Sequence, residues 1–107
     1  MIKISYNQKK RELKVKGHSN DAPYGEDLIC AGISTLTVAL ACALKDAKRQ
    51  GFIEEDMIMD FESGDTHIKV KPTEGNEPIV DTIFTTILNG YDAMSISFPR
   101  NVSFTPL

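Results

Sequence analysis

This chain of 107 residues has no tryptophan, only two cysteines, only two histidines and no excess of positive charge. Each shortage excludes something. Two cysteines cannot build a disulfide framework; at positions 30 and 42, on what reads as one helix, they stand about 18 Å apart and cannot bridge one another. That cysteine usage suits a reducing cytoplasm. A structural zinc needs four ligands, and two separated cysteines with two separated histidines offer no such spacing, so no metal and no cofactor are expected. The net charge of -3 gives no basic field for a phosphate backbone, so nucleic acid is not expected as a direct ligand. Long apolar runs are also missing: "MIKISYNQKKRELKV" alternates, and the apolar region from Leu28 to Leu44 is interrupted by Gly, Ser and Thr. No signal peptide and no membrane span are expected. The length predicts one domain over residues 1–107, small enough that a second subunit would help to stabilise it.

What is present is two kinds of periodicity in alternation. "MIKISYN" and "ELKVKG", separated by the polar "QKKR", read as a hairpin that delivers the chain to His18. From Asp27 the period becomes helical, with Ile29, Ile33, Leu36, Leu40, Leu44 and Ala47 on one stripe and Gly51 where a helix-ending glycine belongs. "MIMDFES" and "THIKVKP" form a second hairpin around "SGD". Asn76 can cap a second helix with Pro78 in its first turn; its stripe runs through Val80, Ile83, Phe84, Ile87, Tyr91, Met94 and Phe98, and Pro99 stops it. A short strand, "NVSF", follows. The order ββαββαβ predicts an α+β fold, a mixed or antiparallel sheet with two helices packed against it.

The stretch "KGHSNDAPYGEDLICAGIS" holds the residues with the most chemistry. If Asp27 is the N-cap, Cys30 occupies the third helical position, where unpaired amides and the helix dipole favour a thiolate. Cys30 shares a face with Ser34, Thr37 and Ala41, while Cys42 lies round the helix and reads as inert filler. His18 leaves a strand end after Gly17, and a nucleophilic cysteine needs such an imidazole. The intervening loop carries Pro23 and Gly25 and is expected to open and close over a substrate. Against this stands the reading in which Cys30 is a buried structural thiol and His18 a solvated strand end, because free cysteine is among the most buried residue types. The residues alone leave both open. His67 alternates with Ile68 and Val70 and so points to water with Lys69 and Lys71, the carboxylates Glu54, Glu55, Asp56 and Asp60 read as a solvated junction, and "KKR" as a charged turn.

With those residues in view, the sequence resembles the ribosomal-processing cysteine proteases. The matching pattern is G-H, a short loop, then Y-G-x-D-[IL]-[IV]-C-A-x-x-S, here Gly17 and His18 followed by "YGEDLICAGIS" from Tyr24 to Ser34. The length and element order agree with the family along the whole chain, and the departure lies in the loop, where "SNDAP" stands. The resemblance implies that Cys30 is the nucleophile and His18 its general base and acid. Gly17, Tyr24, Gly25, Asp27 and Ser34 match other motif positions, and backbone amides at the helix start would hold the oxyanion. It also implies a homodimer that removes an N-terminal extension from a large-subunit ribosomal protein precursor, with an aromatic pair before the scissile bond. An apolar pocket near Cys30 would select that pair, with Tyr24, Ile29 and Ile33 as its candidates. Three other readings compete. A prophage relative would trim a capsid or scaffold precursor, a thiol redox sensor would use Cys30 without His18, and a dimeric binding module would use neither.

Overall fold

The computed structural model describes residues 1–18 and 24–107, without the side chains of residues 24–27. Its elements are β1 (Ile2–Asn7), β2 (Glu12–Lys16), α1 (Tyr24–Arg49), β3 (Ile58–Glu62), β4 (Asp65–Lys69), α2 (Glu77–Ser97) and β5 (Val102–Pro106). This is the ββαββαβ order that the periodicities predict. The strands form one sheet in the order β3-β4-β2-β1-β5. Both hairpins are antiparallel, β2 joins β4 antiparallel, and β5 lies parallel to β1, so the sheet is mixed. The parallel pair exists because α2 supplies the crossover that such a connection requires.

Alternation along the strands sorts the side chains between two faces. Ile2, Ile4 and Tyr6 of β1, Leu13 and Val15 of β2, and Thr66 and Ile68 of β4 are buried, whereas Lys3, Lys14 and Lys16 are exposed. The predicted stripe of α1 covers that buried face: Ile29, Ile33, Leu40, Leu44 and Ala47 are buried and Leu36 is half-buried. Val80, Phe84 and Tyr91 of α2 join the same core. Tyr6 stacks on Phe84 with ring centroids 4.9 Å apart. Each fully buried large side chain of this kind contributes about 1.5–3 kcal/mol, so the two stripes hold the two layers together. At the other end of α1 the Phe52 amide donates to the Ala47 carbonyl (2.9 Å) and the Gly51 amide to Lys48 (3.0 Å), with Gly51 at φ +84°. That double closure is how a glycine ends a helix. Outside the core, Arg11 forks onto Asp81 through Nε and Nη2, at 2.7 and 3.0 Å, and ties the first hairpin's turn to α2.

Five sequence readings need correction. Helix α1 starts at Tyr24, so Asp27 lies inside its first turn rather than capping it, and Gly25 belongs to the helix rather than to a hinged loop. Residues 19–23, the rest of the expected lid, lie outside the described residues. Cys42 is exposed and fills nothing, because 3.6-residue periodicity turns it to the outer side of α1. The stripe of α2 stops at Met94: Phe98 is the C-cap residue and is exposed. Asn76 holds the N-cap position, yet its side chain donates to Thr73 Oγ1 (2.7 Å) rather than to the helix. By length and a mean hydropathy of 1.9, Leu28–Arg49 is apolar enough to cross a membrane; here its inward stripe packs on the sheet and α2.

Burial of two phenols fixes how the fold responds to alkali. Burial pushes the Tyr91 hydroxyl up from 10.0 to about 12. Burial, then the Asp81 charge, pushes Tyr6 up as well. The fold favours the neutral phenol, so stability is whole below pH 10, where the unfolded tyrosines are protonated too, and falls as pH rises towards 12. Urea midpoints measured at pH 8 to 11 are expected to be flat and then to drop. The drop is expected to shrink in Tyr6→Phe and in Tyr91→Phe; an equally steep drop in both variants would exclude these phenols as its source.

Candidate active site

The end of β2 is built to hold His18 in place. Gly17 sits at φ +106°, and a Cβ there would collide with the Met1 carbonyl oxygen, so no other residue fits without moving β1. Its amide donates to the Gly64 carbonyl at 2.9 Å, and the His18 carbonyl accepts from the Met1 ammonium at 3.2 Å. The backbone of Gly17 and His18 is thus tied to Met1 on one side and to the β3–β4 turn on the other, while the His18 side chain is exposed.

Opposite, α1 presents Cys30, half-buried, then Ser34 and Thr37 on the following turns. His18, Cys30, Ser34 and Thr37 line one cleft of about 490 Å³. Its apolar walls come from Ile2, Val15, Ile33, Val38 and Phe61, and its rim from the turn of Glu62 to Thr66. Thr37 Oγ1 donates to the Ile33 carbonyl at 2.8 Å; having spent its one proton, it accepts from the Tyr91 hydroxyl at 2.7 Å. The Thr37 hydroxyl is therefore committed to joining α1 to α2. That of Ser34 sits exposed, one turn on from Cys30.

One cleft therefore brings together Gly17, His18, Cys30 and Ser34 of the residues singled out in the sequence. Tyr24, Gly25 and Asp27 fall at the start of α1, where no side chain is described. Because α1 begins earlier than expected, Cys30 is its seventh residue, beyond the first turn in which the dipole and the unpaired amides act. Ile29 is buried in the core and does not line the cleft, whereas Ile33 does. Sequence reasoning missed Val38, which α1 itself carries to the cleft, and Phe61 and Gly64, which the sheet order brings there. Only the exposed aromatic in an alternating strand gave a local signal for Phe61.

Elsewhere, His67 does share the open face of the sheet with Lys69, but it is not merely solvated: its Nε2 lies 2.7 Å from Glu12 Oε2. That hydrogen bond, with help from Lys14 and Lys69, holds the Glu12 carboxyl below the usual range. Glu54, Glu55, Asp56 and Asp60 are all exposed, as read. Lys9 and Lys10 of the "KKR" turn are joined by Lys69 and Lys71 along a shallow groove, a juxtaposition invisible in sequence.

Comparison with known proteins adds to this geometry. The family model described as cysteine protease Prp matches residues 1–103. The fold is similar to that of the essential ribosomal processing protease Prp from S. aureus in complex with a covalently linked product peptide, at TM-score 0.72 and 22% identity, covering all of both chains. It is also similar to that S. aureus protease in complex with a substrate peptide, at TM-score 0.68 and 20% identity, covering 99% of this chain and 97% of the other. A Streptococcus mutans protein gives TM-score 0.69 and 20% identity over 99% and 91%. Likeness at such identities speaks to the fold. No curated protein sequence matches the chain.

The cleft separates the two thiols. Ser34→Phe places a ring in it beside Cys30 without touching the core, so the melting temperature is expected to stay within the scatter of a surface change. Iodoacetamide labelling followed by mass mapping is expected to slow about tenfold at Cys30 and not at all at Cys42, which lies outside the cleft. Equal rates at Cys30 in both proteins would mean that the thiol is reached by another route.

Proposed function

Since the chain belongs to the cysteine protease Prp family, we propose that Cys30 is its nucleophile and His18 its general base and acid, and that it removes the N-terminal extension of a large-subunit ribosomal protein. The observation that carries this reading is the convergence of His18, just after β2, and Cys30, on α1, on one cleft with apolar walls. His18 takes the Cys30 proton, the thiolate attacks the scissile carbonyl, and His18 returns the proton to the leaving amine. Water, activated by the same imidazole, then hydrolyses the thioester. The oxyanion needs donors other than the Cys30 amide, which falls within the helix ladder at position seven. The Ser34 hydroxyl, in the same cleft, is one.

Selection of the bond follows from the walls. Phe61 and Val38 are large apolar residues left 43% and 56% exposed, which suits them to receive aromatic side chains of a substrate tail. Phe61 and Glu62 belong to β3, an edge strand of the sheet, whose outer side can pair with an extended tail. Glu62 and Asp65 on the rim attract the basic tail of a ribosomal protein, an effect that salt weakens. Action in the cytoplasm as a homodimer fits this substrate. The exposed Leu28 of α1, outside the cleft lining, supports a second copy there.

A tail peptide carrying an aromatic pair before the scissile bond tests the proposal. Cleavage is expected with the wild type, to be abolished by Cys30→Ser with the fold intact, and to fall by orders of magnitude in His18→Ala. Replacing both aromatics by Ala is expected to cost several kcal/mol in kcat/KM. A wild-type protein that leaves both peptide and intact precursor uncut under reducing conditions would overturn the ribosomal assignment. Undiminished cleavage by His18→Ala would overturn the dyad.

A further inference from the structure

We propose that Gly64, in the turn between β3 and β4, is the seat of the His18 imidazole, and so a positioning residue for the proton transfers that the dyad reading assigns to His18. Gly64 occupies the second position of a two-residue hairpin loop at φ +73°. The turn by itself demands only a residue tolerant of left-handed backbone, a demand that asparagine also meets. A second demand comes from His18. A Cβ on Gly64 would lie 2.6 Å from His18 Cδ2 and closer still to Nε2 and Cε1, so the ring rests directly on the glycine's bare Cα. The same glycine accepts the Gly17 amide at 2.9 Å. One residue thus fixes both the backbone that carries His18 and the place of its ring. Gly51 and Gly75, also at positive φ, would meet nothing within 4 Å, so this contact is not a general feature of the turns.

The way such a clash is relieved separates folding from catalysis. The colliding group is the far end of an exposed side chain, which can swing aside at little cost to the fold. The group that swings, however, is the base, and a displacement of an ångström at a reacting group costs about 10²-fold in rate. A substitution at 64 is therefore expected to damage turnover out of proportion to stability. Asparagine separates the two effects further, because it accepts the backbone conformation and still carries the Cβ.

The experiment compares Gly64→Asn, Gly64→Ala, Gly75→Ala and His18→Ala on the tail peptide, reading kcat and KM separately, with melting temperature and the NMR signals of the His18 ring in the peptide-free protein. Gly75→Ala carries the strain alone and is expected to lose some melting temperature, to keep kcat within about twofold, and to leave the His18 ring signals in place. Gly64→Asn is expected to melt near the wild type, to lose about 10²-fold in kcat with a smaller change in KM, and to shift the ring signals and the acid limb of the pH profile. Gly64→Ala is expected to combine both losses. Unmoved ring signals in Gly64→Asn would overturn the seat, and so would wild-type kcat in that variant while His18→Ala is inactive. Should His18→Ala cleave normally, the dyad reading fails on its own, and the ring signals of Gly64→Asn still decide whether the glycine holds the ring.

Discussion

Everything at the reactive end of the molecule depends on the antiparallel pairing of β2 with β4, the contact that joins two hairpins far apart in sequence. Its register sets Lys16 against Asp65 and Leu13 against Ile68. From the first of these pairs follow the bond between Gly17 and the Gly64 carbonyl and the placing of Phe61 and Glu62 on the cleft. From the second follows the core under α1, since a slip of one residue would turn Leu13 and Val15 out and Lys14 in. The diagonal contact of His67 with Glu12 lies across these same two strands on the open face and fits one register only. A polar pair on one side and an apolar pair on the other therefore specify the same alignment.

The elements were legible because each carries its own period, and the core because both helices show an unbroken stripe. The start of α1 was harder to place. "SNDAPYGED" offers several residues able to cap or turn, and local preference does not rank them, so Asp27 looked like a cap where Tyr24 begins the helix. Cys42, round the helix from Cys30, reads as filler by residue type, yet nothing among the described residues covers that side of α1 and it stands exposed. At the site, Gly17, His18, Cys30 and Ser34 were visible since they crowd into one short stretch. Phe61 and Gly64 were not, because they reach the cleft through strand order, which no local pattern encodes, and Val38, on α1 itself, stands off the apolar stripe.

Hydroxyls divide the labour within the cleft. That of Thr37 is saturated by Ile33 and Tyr91 and locks the two helices at the cleft's far end, whereas Ser34 faces open space one turn from the thiol. Rigid support and chemical availability thus alternate along a single face of α1. The apolar wall residues are distributed in a comparable way: Ile2, Val15 and Ile33 are anchored in the core, and Val38 and Phe61 stand out from it. A substrate meets a fixed floor and a more adaptable entrance.

The parallel partnership of β1 and β5 has a temporal side. Ile2 pairs with Val102 and Ile4 with Phe104, so neighbours in the sheet are separated by nearly the whole chain. Contacts of that range cost more loop-closure entropy than those of the hairpins. During synthesis the first hairpin emerges early, with one flank of β1 uncovered until β5 has been made. Ile2 is both a member of that waiting strand and a wall of the cleft. The wall that Ile2 lends to the cleft is thereby fully paired only once β5 has been made.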